Sequence, residues 1–374
     1  MAQGMTVGSP ATALRHRVPS LDAVRGLAIA LVLSWHYLAP LLQARDSPFA
    51  AVFALAWTGV DCFFVLSGYL LGGILLDRRE SANFYSAFYG RRVFRIVPMY
   101  AVLLATFAAT HADSLLPYVT FTQNFVSAAT NSWGPQWVAV TWSLAVEEQF
   151  YLVLPLLIRL VPPRRLPHVL LALILAAPVI RVPLMVLLNP LAAYVLMPAR
   201  MDCLFAGVLA AWLMRSRPHA EAFERHRGLV WIAFGILLLG VVLASVGSRQ
   251  FRVSKQTIEY FWMAAFYLVI LLLVVSARAH RPWIAMASAP LRWAGIGAYS
   301  LFLFHFPVLL TMQRFVARDW VVPASLAVLL LIAFLSWHLI EKPLIALGHR
   351  LFPYRAAAPM LFEQLSPAVE RSPR

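Results

Sequence analysis

An aspartate, an arginine and a histidine occupy one apolar stretch near the start of the chain. Residues 21–42 are long enough to cross a membrane as a helix, and they contain Asp22, Arg25 and His36. Ionisable groups are costly in hydrocarbon, so they mark candidate functional sites. At about 1.5 Å per residue, Arg25 lies roughly 16 Å from His36, near one headgroup region, and His36 lies beyond the midplane. The alternative is that Arg25 snorkels and His36 only joins two helices.

Other apolar stretches also contain polar residues, namely Asp61, Ser67, Glu147, Glu148 and His305. A histidine with a carboxylate partner is a common general base, because the carboxylate orients the ring and stabilises the imidazolium. We therefore take His36 as the candidate base for a hydroxyl or amine nucleophile and Glu147 as the candidate that orients a histidine. The alternative is a structural polar network that holds helices together.

The segment FYGRRVFRIVP places arginines just before another apolar stretch. Arg92 and Arg95 are three residues apart, so they share a face if the segment is helical. Guanidinium groups match phosphate oxygens with paired hydrogen bonds, so this spacing suits a phosphorylated ligand. Ordinary topogenic charge, or binding of anionic lipid, is the alternative that these residues leave open.

The composition is that of a membrane protein. Of the 374 residues, 61% are hydrophobic and 13% are charged, whereas soluble domains have roughly 45–50% and 25%. Cys62 and Cys203 lie in apolar stretches, and we interpret them as small buried residues rather than as a disulfide or metal pair. The sequence contains no Walker A, HExxH or GxSxG motif and no obvious repeat of the kind found in many transporters. No metal and no tightly bound cofactor is implied.

Hydropathy predicts an all-α fold of about ten transmembrane helices. They are expected near 21–42, 50–76, 97–111, 142–161, 167–188, 197–214, 229–247, 257–276, 294–316 and 320–347. The stretch 97–111 is short, and without it the C-terminus would move to the other side. The predicted division is an N-terminal segment 1–20, a transmembrane domain 21–347 and a tail 348–374. Residues 1–20 lack an apolar core, so no cleavable signal peptide is expected.

The distribution of positive charge predicts the orientation. More than two thirds of the 31 lysines and arginines fall in segments on the same side as the N-terminus. The positive-inside rule then places both termini in the cytoplasm and explains the net charge of +15 without a nucleic-acid partner. Residues 112–141 contain no lysine or arginine and form the longest connection on the opposite side. They are either an interfacial aromatic belt or a segment folded back over a cavity.

Taken together, these segments resemble the acyltransferase-3 family of integral-membrane acyltransferases. The matching blocks are SLDAVRGLAIALVLSWHYL, GVDCFFVLSGYLL, FYGRRVFRIVPMY, TWSLAVEEQFYLVLPLL, RMDCLFAGVLAA, YSLFLFHFPVLL and HLIEKPL. Their order and spacing over most of the chain make the joint match specific. The sequence departs from the family pattern at Phe304, where tryptophan is frequent, and at Cys62, where an aliphatic residue is usual.

The resemblance implies transfer of a short acyl group, commonly acetyl, from cytoplasmic acyl-CoA as co-substrate to a hydroxyl of an envelope or exported glycan, a lipid-linked sugar or a similar metabolite. It implies that His36 is the catalytic histidine, that Arg25 belongs to the same essential motif, and that Arg92 and Arg95 help to hold the donor. The expected location is the bacterial cytoplasmic membrane, in contact with its lipids. No fused extracytoplasmic domain is expected, so acceptor choice is expected from the membrane domain or from separate envelope-polysaccharide biosynthesis proteins.

Two other classes fit parts of the pattern. A transporter or flippase of a lipid-linked sugar or polar metabolite would also need intramembrane charges and basic residues at one face. A structural subunit of an envelope-polysaccharide complex would retain the fold without activity, although the presence of His36 argues against it. Turnover of acyl-CoA by the purified protein separates an enzyme from a transporter.

Overall fold

A computed structural model describes residues 19–44, 53, 56–111, 114–246, 253–276 and 289–356, and these residues contain no β-strand. The α-helices are α1 (Pro19–Leu33), α2 (Ala39–Ala44), α3 (Gly59–Asp77), α4 (Phe84–Thr110), α5 (Leu116–Val119), α6 (Gln123–Thr130), α7 (Trp142–Leu160), α8 (Leu166–Pro183), α9 (Pro190–Val195), α10 (Met201–Arg215), α11 (Arg217–Arg225), α12 (Arg227–Val246), α13 (Val253–Ser276), α14 (Ala289–Ile296), α15 (Ala298–Phe315), α16 (Val321–Ser336) and α17 (Lys342–Leu351).

The membrane-spanning helices confirm the predicted fold class. Within the described residues, seven helical stretches are long and apolar enough to cross a membrane, or nine if each of two bent pairs is one span. The bent pairs are α11 with α12, at 70°, and α14 with α15, at 75°. Helix α7 is 19 residues long but carries Glu147, Glu148 and Arg159, and it completes a set of ten. The protein is therefore an all-α, multi-pass membrane protein.

Some predicted boundaries differ from the structure. The short third stretch, 97–111, is part of α4, which has 27 residues and begins at Phe84. Its polar first half was missed because hydropathy does not register a helix that leaves the apolar layer. The predicted helix 294–316 bends after α14. Most of the N-terminal segment 1–20, most of the tail 348–374, residues 112–113 and nearly all of 50–55 lie outside the described residues.

One end of the bundle is rich in arginine, and we call it the basic end. There Arg79 donates to the carbonyl of Val161 at 2.9 Å, and Arg91 donates to the carbonyl of Phe352 at 2.8 Å. Arg215 donates to both carboxylate oxygens of Asp77, at 2.7 and 2.8 Å. These contacts place the ends of α3, α7, α10 and α17 beside the start of α4.

Residues 114–141 cover the opposite end, and we call them the cap. The buried Gln123 donates to the carbonyl of Thr141 at 2.8 Å. Asn124, also buried, donates to the carbonyl of Val195 at 3.2 Å, and Asn189 donates to the carbonyl of Ala128 at 2.7 Å. Because its polar groups bind protein, the cap is a folded cover of short helices rather than a plain aromatic belt.

Helices α3 and α10 cross in backbone contact at two glycines. A Cβ added at Gly68 would lie 1.9 Å from the carbonyl oxygen of Leu204, and one added at Gly207 would lie 2.0 Å from that of Val65. Small residues at such crossings let transmembrane helices approach closely, and dispersion contacts then stabilise the pair. This contact fixes the position of α3, which carries several of the candidate site residues.

Replacing either glycine by alanine is expected to destabilise the bundle. Gly207→Ala forces two backbones apart, and overpacking of this kind costs about 1–3 kcal/mol or more. The matched control is Gly235→Ala in α12, where an added Cβ meets nothing within 4 Å. The midpoint of thermal unfolding in detergent should be clearly lower for Gly207→Ala and unchanged for Gly235→Ala. Equal midpoints would contradict the close crossing.

Candidate active site

A cavity of about 300 Å³ lies between α1, α3, α4, α7 and α15. Its charged and hydroxyl-bearing lining residues are Asp22, Arg25, Ser67, Arg92, Arg95, Ser143, Glu147, Tyr151 and Tyr299. Six of these residues are candidates from the sequence, and the fold brings them together from four helices. The remaining lining is apolar, as is usual in ligand sites where a few polar groups orient the bound molecule.

The cavity is long and runs along one helix. On α3 its lining extends from Ile74, near the basic end, to Val60, a separation of about 21 Å at 1.5 Å per residue. Next to Val60, the backbone of Gly59 packs against α1, where an added Cβ would lie 3.0 Å from the amide nitrogen of Val32. The cavity therefore extends along α3 from the basic end to the turn that packs against α1 near Val32. On α1 itself its lining ends at Arg25, and neither His36 nor His305 is among the lining residues.

Two arginines on α4 present their charge to this cavity. Arg92 and Arg95 both line it and are half-buried. Within the described part of the chain, neither has a carboxylate oxygen within 4.0 Å, whereas Arg25 forms an ion pair of 2.9 Å with Asp22. Desolvated guanidinium groups without a close counter-ion favour binding of an anion such as phosphate.

Glu147 lies on the wall of the same cavity, between two hydroxyl groups. Its Oε1 accepts a hydrogen bond from Ser67 at 2.7 Å, and its Oε2 accepts one from Tyr151 at 2.9 Å. The hydrogen bonds of Glu147 go to these two hydroxyl groups, and the structure shows no contact through which it would orient His36. Glu147 lines the cavity, whereas His36 is not among the lining residues. Neighbouring Glu148 is half-buried but is not among the residues lining the cavity.

His36 lies in a widened turn of the first span. Residues Ser34–Leu38 form a π-turn between α1 and α2, and such turns are frequent at functional sites. The Nδ1 atom of His36 is 3.0 Å from the carbonyl oxygen of Val32 and 3.2 Å from Nε2 of His305. His305 is fully buried, and its Nδ1 is 2.6 Å from the carbonyl oxygen of Phe302. The partner of His36 is thus a second histidine.

These contacts determine which ring nitrogens hold protons. A carbonyl oxygen can only accept, so His305 Nδ1 carries a proton and donates it to Phe302. In a neutral ring the other nitrogen then holds a lone pair, and His305 Nε2 accepts from His36 Nδ1. The Nε2 atom of His36 is left with a free lone pair. With both rings neutral, His36 Nδ1 donates toward His305 and the carbonyl oxygen of Val32, and Nε2 of His36 is the nitrogen that can act as a base.

Two aromatic rings stand between the cavity and the histidine pair. Phe63 and Phe302 line the cavity, and their ring centroids are 6.3 Å apart. The Phe302 ring is in turn 5.8 Å from the ring of His305. The cavity thus ends at a small apolar wall beside the histidines, which suits a short apolar group better than a charged one.

Asp61 belongs to a different cluster. It forms a fully buried ion pair with Arg200, next to a second fully buried pair between Arg181 and Asp202. The guanidinium of Arg200 also lies 4.7 Å from the ring centroid of Tyr260. Asp61 therefore has a structural role in linking α3 to α10 and does not meet His36.

Neither of these arginines was among the site residues predicted from the sequence. Arg181 and Arg200 fall within the predicted spans 167–188 and 197–214, and each is 0% exposed. The available signal was an acidic residue inside the neighbouring apolar stretches, Asp61 and Asp202, since buried carboxylates need partners. Cys62 and Cys203, beside these pairs, are buried and free.

Comparison with known proteins gives the family. The chain belongs to the acyltransferase-3 family, since the family model, described as an acyltransferase domain, matches residues 18–340. This finding confirms the resemblance drawn from the motifs. No solved structure matches the chain.

Curated relatives are named O-acetyltransferases. The chain is 22% identical to the O-acetyltransferase OatA of Staphylococcus aureus over 90% of this chain and 58% of that protein. It is 25% identical to the peptidoglycan O-acetyltransferase OatA of Listeria monocytogenes over 88% and 56%. It is 27% identical to the putative peptidoglycan O-acetyltransferase YrhL of Bacillus subtilis over 91% and 57%. The chain thus spans less than three fifths of the length of these relatives.

Asp61→Asn is expected to lower stability far more than a matched change at the surface. It leaves Arg200 buried without its counter-ion, which costs about 3–5 kcal/mol. The control is Asp77→Asn, because the Asp77–Arg215 pair is partly exposed and such pairs contribute about 0–1 kcal/mol. Thermal midpoints of the two purified variants test this, and similar small shifts would contradict a structural role for Asp61.

Proposed function

We propose that this protein is a membrane O-acyltransferase that moves a short acyl group from acyl-CoA to a hydroxyl of an envelope glycan. The observation that carries this proposal is the cavity that extends from the Arg92–Arg95 pair to the Phe63–Phe302 wall, beside the pair of His36 and His305. Acetyl is the proposed acyl group and peptidoglycan the first acceptor to test, because the relatives' names point to them.

The cavity dimensions support a CoA donor. The phosphates of CoA would bind at Arg92 and Arg95, with the pantetheine arm extended toward His36. That arm has about as many backbone bonds as four extended residues, which span roughly 14 Å. The lining along α3, about 21 Å long, therefore accommodates the arm and a short acyl group. The thioester would lie near Phe63 and Phe302.

The base of the proposed reaction is Nε2 of His36. It takes the proton of an acceptor hydroxyl, and the oxygen attacks the thioester carbonyl carbon. The carbon–sulfur bond then breaks, an ester forms, and CoA leaves as a thiol with the transferred proton. His305 acts as a positioning residue, since its Nε2 keeps the proton of His36 on Nδ1 and accepts from the imidazolium while it exists.

The orientation of the reaction follows from the charges. We place the basic end in the cytoplasm of a bacterial cell, where acyl-CoA is made, and the cap on the opposite side of the cytoplasmic membrane. Donor and acceptor then approach His36 from opposite ends of the bundle. The π-turn at Ser34–Leu38 contains His36, which contacts His305 of α15 between these approaches.

Acyl-CoA turnover is the deciding experiment. Purified protein in liposomes is given acetyl-CoA with soluble peptidoglycan fragments, and thiol release and acetylated glycan are measured. Release of thiol together with ester formation supports the proposal. Movement of a lipid-linked sugar across the bilayer without thiol release would instead identify a transporter or flippase.

His36→Ala is expected to lower kcat for acyl transfer about 10²–10⁴-fold, the usual loss when a general base is removed. The control is His338→Ala. His338 lies in the π-turn Trp337–Glu341, and its Nδ1 is 2.9 Å from the carbonyl oxygen of Phe334, but it is exposed. Steady-state thiol release should be normal for this control. Near wild-type turnover by His36→Ala would refute the assignment.

Arg92→Ala and Arg95→Ala should each raise the KM for acyl-CoA and leave the KM for the acceptor unchanged. Each change removes charge-assisted hydrogen bonds to phosphate worth about 1.5–3 kcal/mol, which corresponds to about ten- to hundredfold weaker binding. Lysine should restore only part of the loss, because it keeps the charge without the paired geometry. Full rescue by lysine with an unchanged donor KM would assign these arginines to topology or lipid binding.

A further inference from the structure

A carboxylate is unexpected in a cavity that is proposed to bind the phosphates of a donor. Glu147 lies on the wall of the cavity that also contains Arg92 and Arg95, yet it is not within 4.0 Å of either guanidinium in the described structure. It would repel the phosphates of a donor that came close. Its place in the cavity therefore fits a part of the ligand that is uncharged and carries hydrogen-bond donors.

The surroundings of Glu147 leave it able to accept further hydrogen bonds. Ser67 and Tyr151 each donate to one of its two oxygens, at 2.7 and 2.9 Å. A carboxylate has about four lone-pair sites, so roughly half of them remain for a ligand. The two hydroxyl groups also hold the carboxylate at a fixed position, which lowers the cost of ordering it when a ligand binds.

The position of Glu147 in the cavity identifies the part of the donor that it would contact. Along α3, Ser67 is seven residues, about 10 Å, from Ile74 at the basic end of the lining, and four residues, about 6 Å, from Phe63 at the other end. Glu147, the partner of Ser67, also interacts electrostatically with Arg92 and Arg95. A donor with its phosphates at these arginines and its acyl group at Phe63 therefore passes Glu147 with the section that follows the phosphates. In CoA that section is the pantetheine arm, which contains two amide N–H groups.

We propose that Glu147, held by Ser67 and Tyr151, accepts hydrogen bonds from the amide N–H groups of the donor's pantetheine arm. This proposal rests on the proposed function, since it takes acyl-CoA as the donor. It assigns one chemical part of the donor to each part of the cavity. Arginines bind phosphate, the carboxylate binds amide, and the phenylalanine pair contacts the acyl group.

Binding of three donor fragments tests the proposal without any acceptor. CoA contains phosphates and amides, pantetheine contains only the amides, and adenosine 3′,5′-bisphosphate contains only the phosphates. Glu147→Ala should weaken CoA and pantetheine about ten- to hundredfold, because each loses a charge-assisted hydrogen bond. The bisphosphate should bind equally well or more tightly, because a nearby negative charge has been removed. Titration calorimetry in detergent gives the three dissociation constants.

Arg95→Ala is the matched variant with the opposite pattern. It should weaken CoA and the bisphosphate and leave pantetheine unchanged. Ser67→Ala, which removes one of the hydroxyl groups that hold Glu147, should weaken pantetheine by a smaller factor in the same direction. This second variant keeps the test available if Glu147→Ala does not fold, as judged by its thermal midpoint.

The outcomes separate this inference from the proposed function. Equal weakening of all three ligands by Glu147→Ala and by Ser67→Ala, or no weakening of pantetheine, overturns the role of Glu147 while the CoA donor stands. Wild-type protein that binds none of the three ligands overturns the CoA donor and this inference together. The crossed pattern of the Glu147 and Arg95 variants supports both.

Discussion

A charged side chain inside a membrane bundle must be paired within the protein or given a polar cavity, and this constraint organises the molecule. Fully buried pairs, such as Arg200 with Asp61, occupy the half nearer the cap, where they tie α3 and α10 together. Near the basic end, Arg92 and Arg95 instead face a cavity. The close glycine crossing of α3 and α10 leaves the opposite face of α3 to line that cavity. Buried ion pairs and a polar cavity thus meet the same constraint in two different parts of the bundle.

The fold was largely predictable because hydropathy reports how much of a segment lies in hydrocarbon. All-α architecture, about ten spans and the approximate centres of most spans follow from that single signal. Features that depend on contacts between helices were not predictable. The first half of α4 carries arginines and tyrosines, and it is a helix that packs on α17 and on Phe352, which follows α17. Likewise, the sequence stretch that contains His36 gives no indication of its π-turn.

The sequence predicted which residues belong to the candidate site but not which of them contact one another. Residue type and depth identified Arg25, Arg92, Arg95 and Glu147, which the structure brings to one cavity. A carboxylate partner was expected for His36, because histidine with carboxylate is the frequent arrangement, whereas the structure supplies His305. Such a pairing depends on the relative rotation of two distant helices. A single sequence contains no information on that rotation.

A row of hydrogen bonds runs from His36 through His305 and ends at the peptide carbonyl of Phe302. A carbonyl oxygen in this position cannot take up a proton, so the row holds the ring in place but offers no exit for charge. Any proton gained at Nε2 of His36 has to leave through the same atom. In an acyl transfer, Nε2 of His36 would then accept the proton of the attacking hydroxyl and return it to the departing sulfur. Both substrates would have to be present together, in a ternary complex, before the first bond changes.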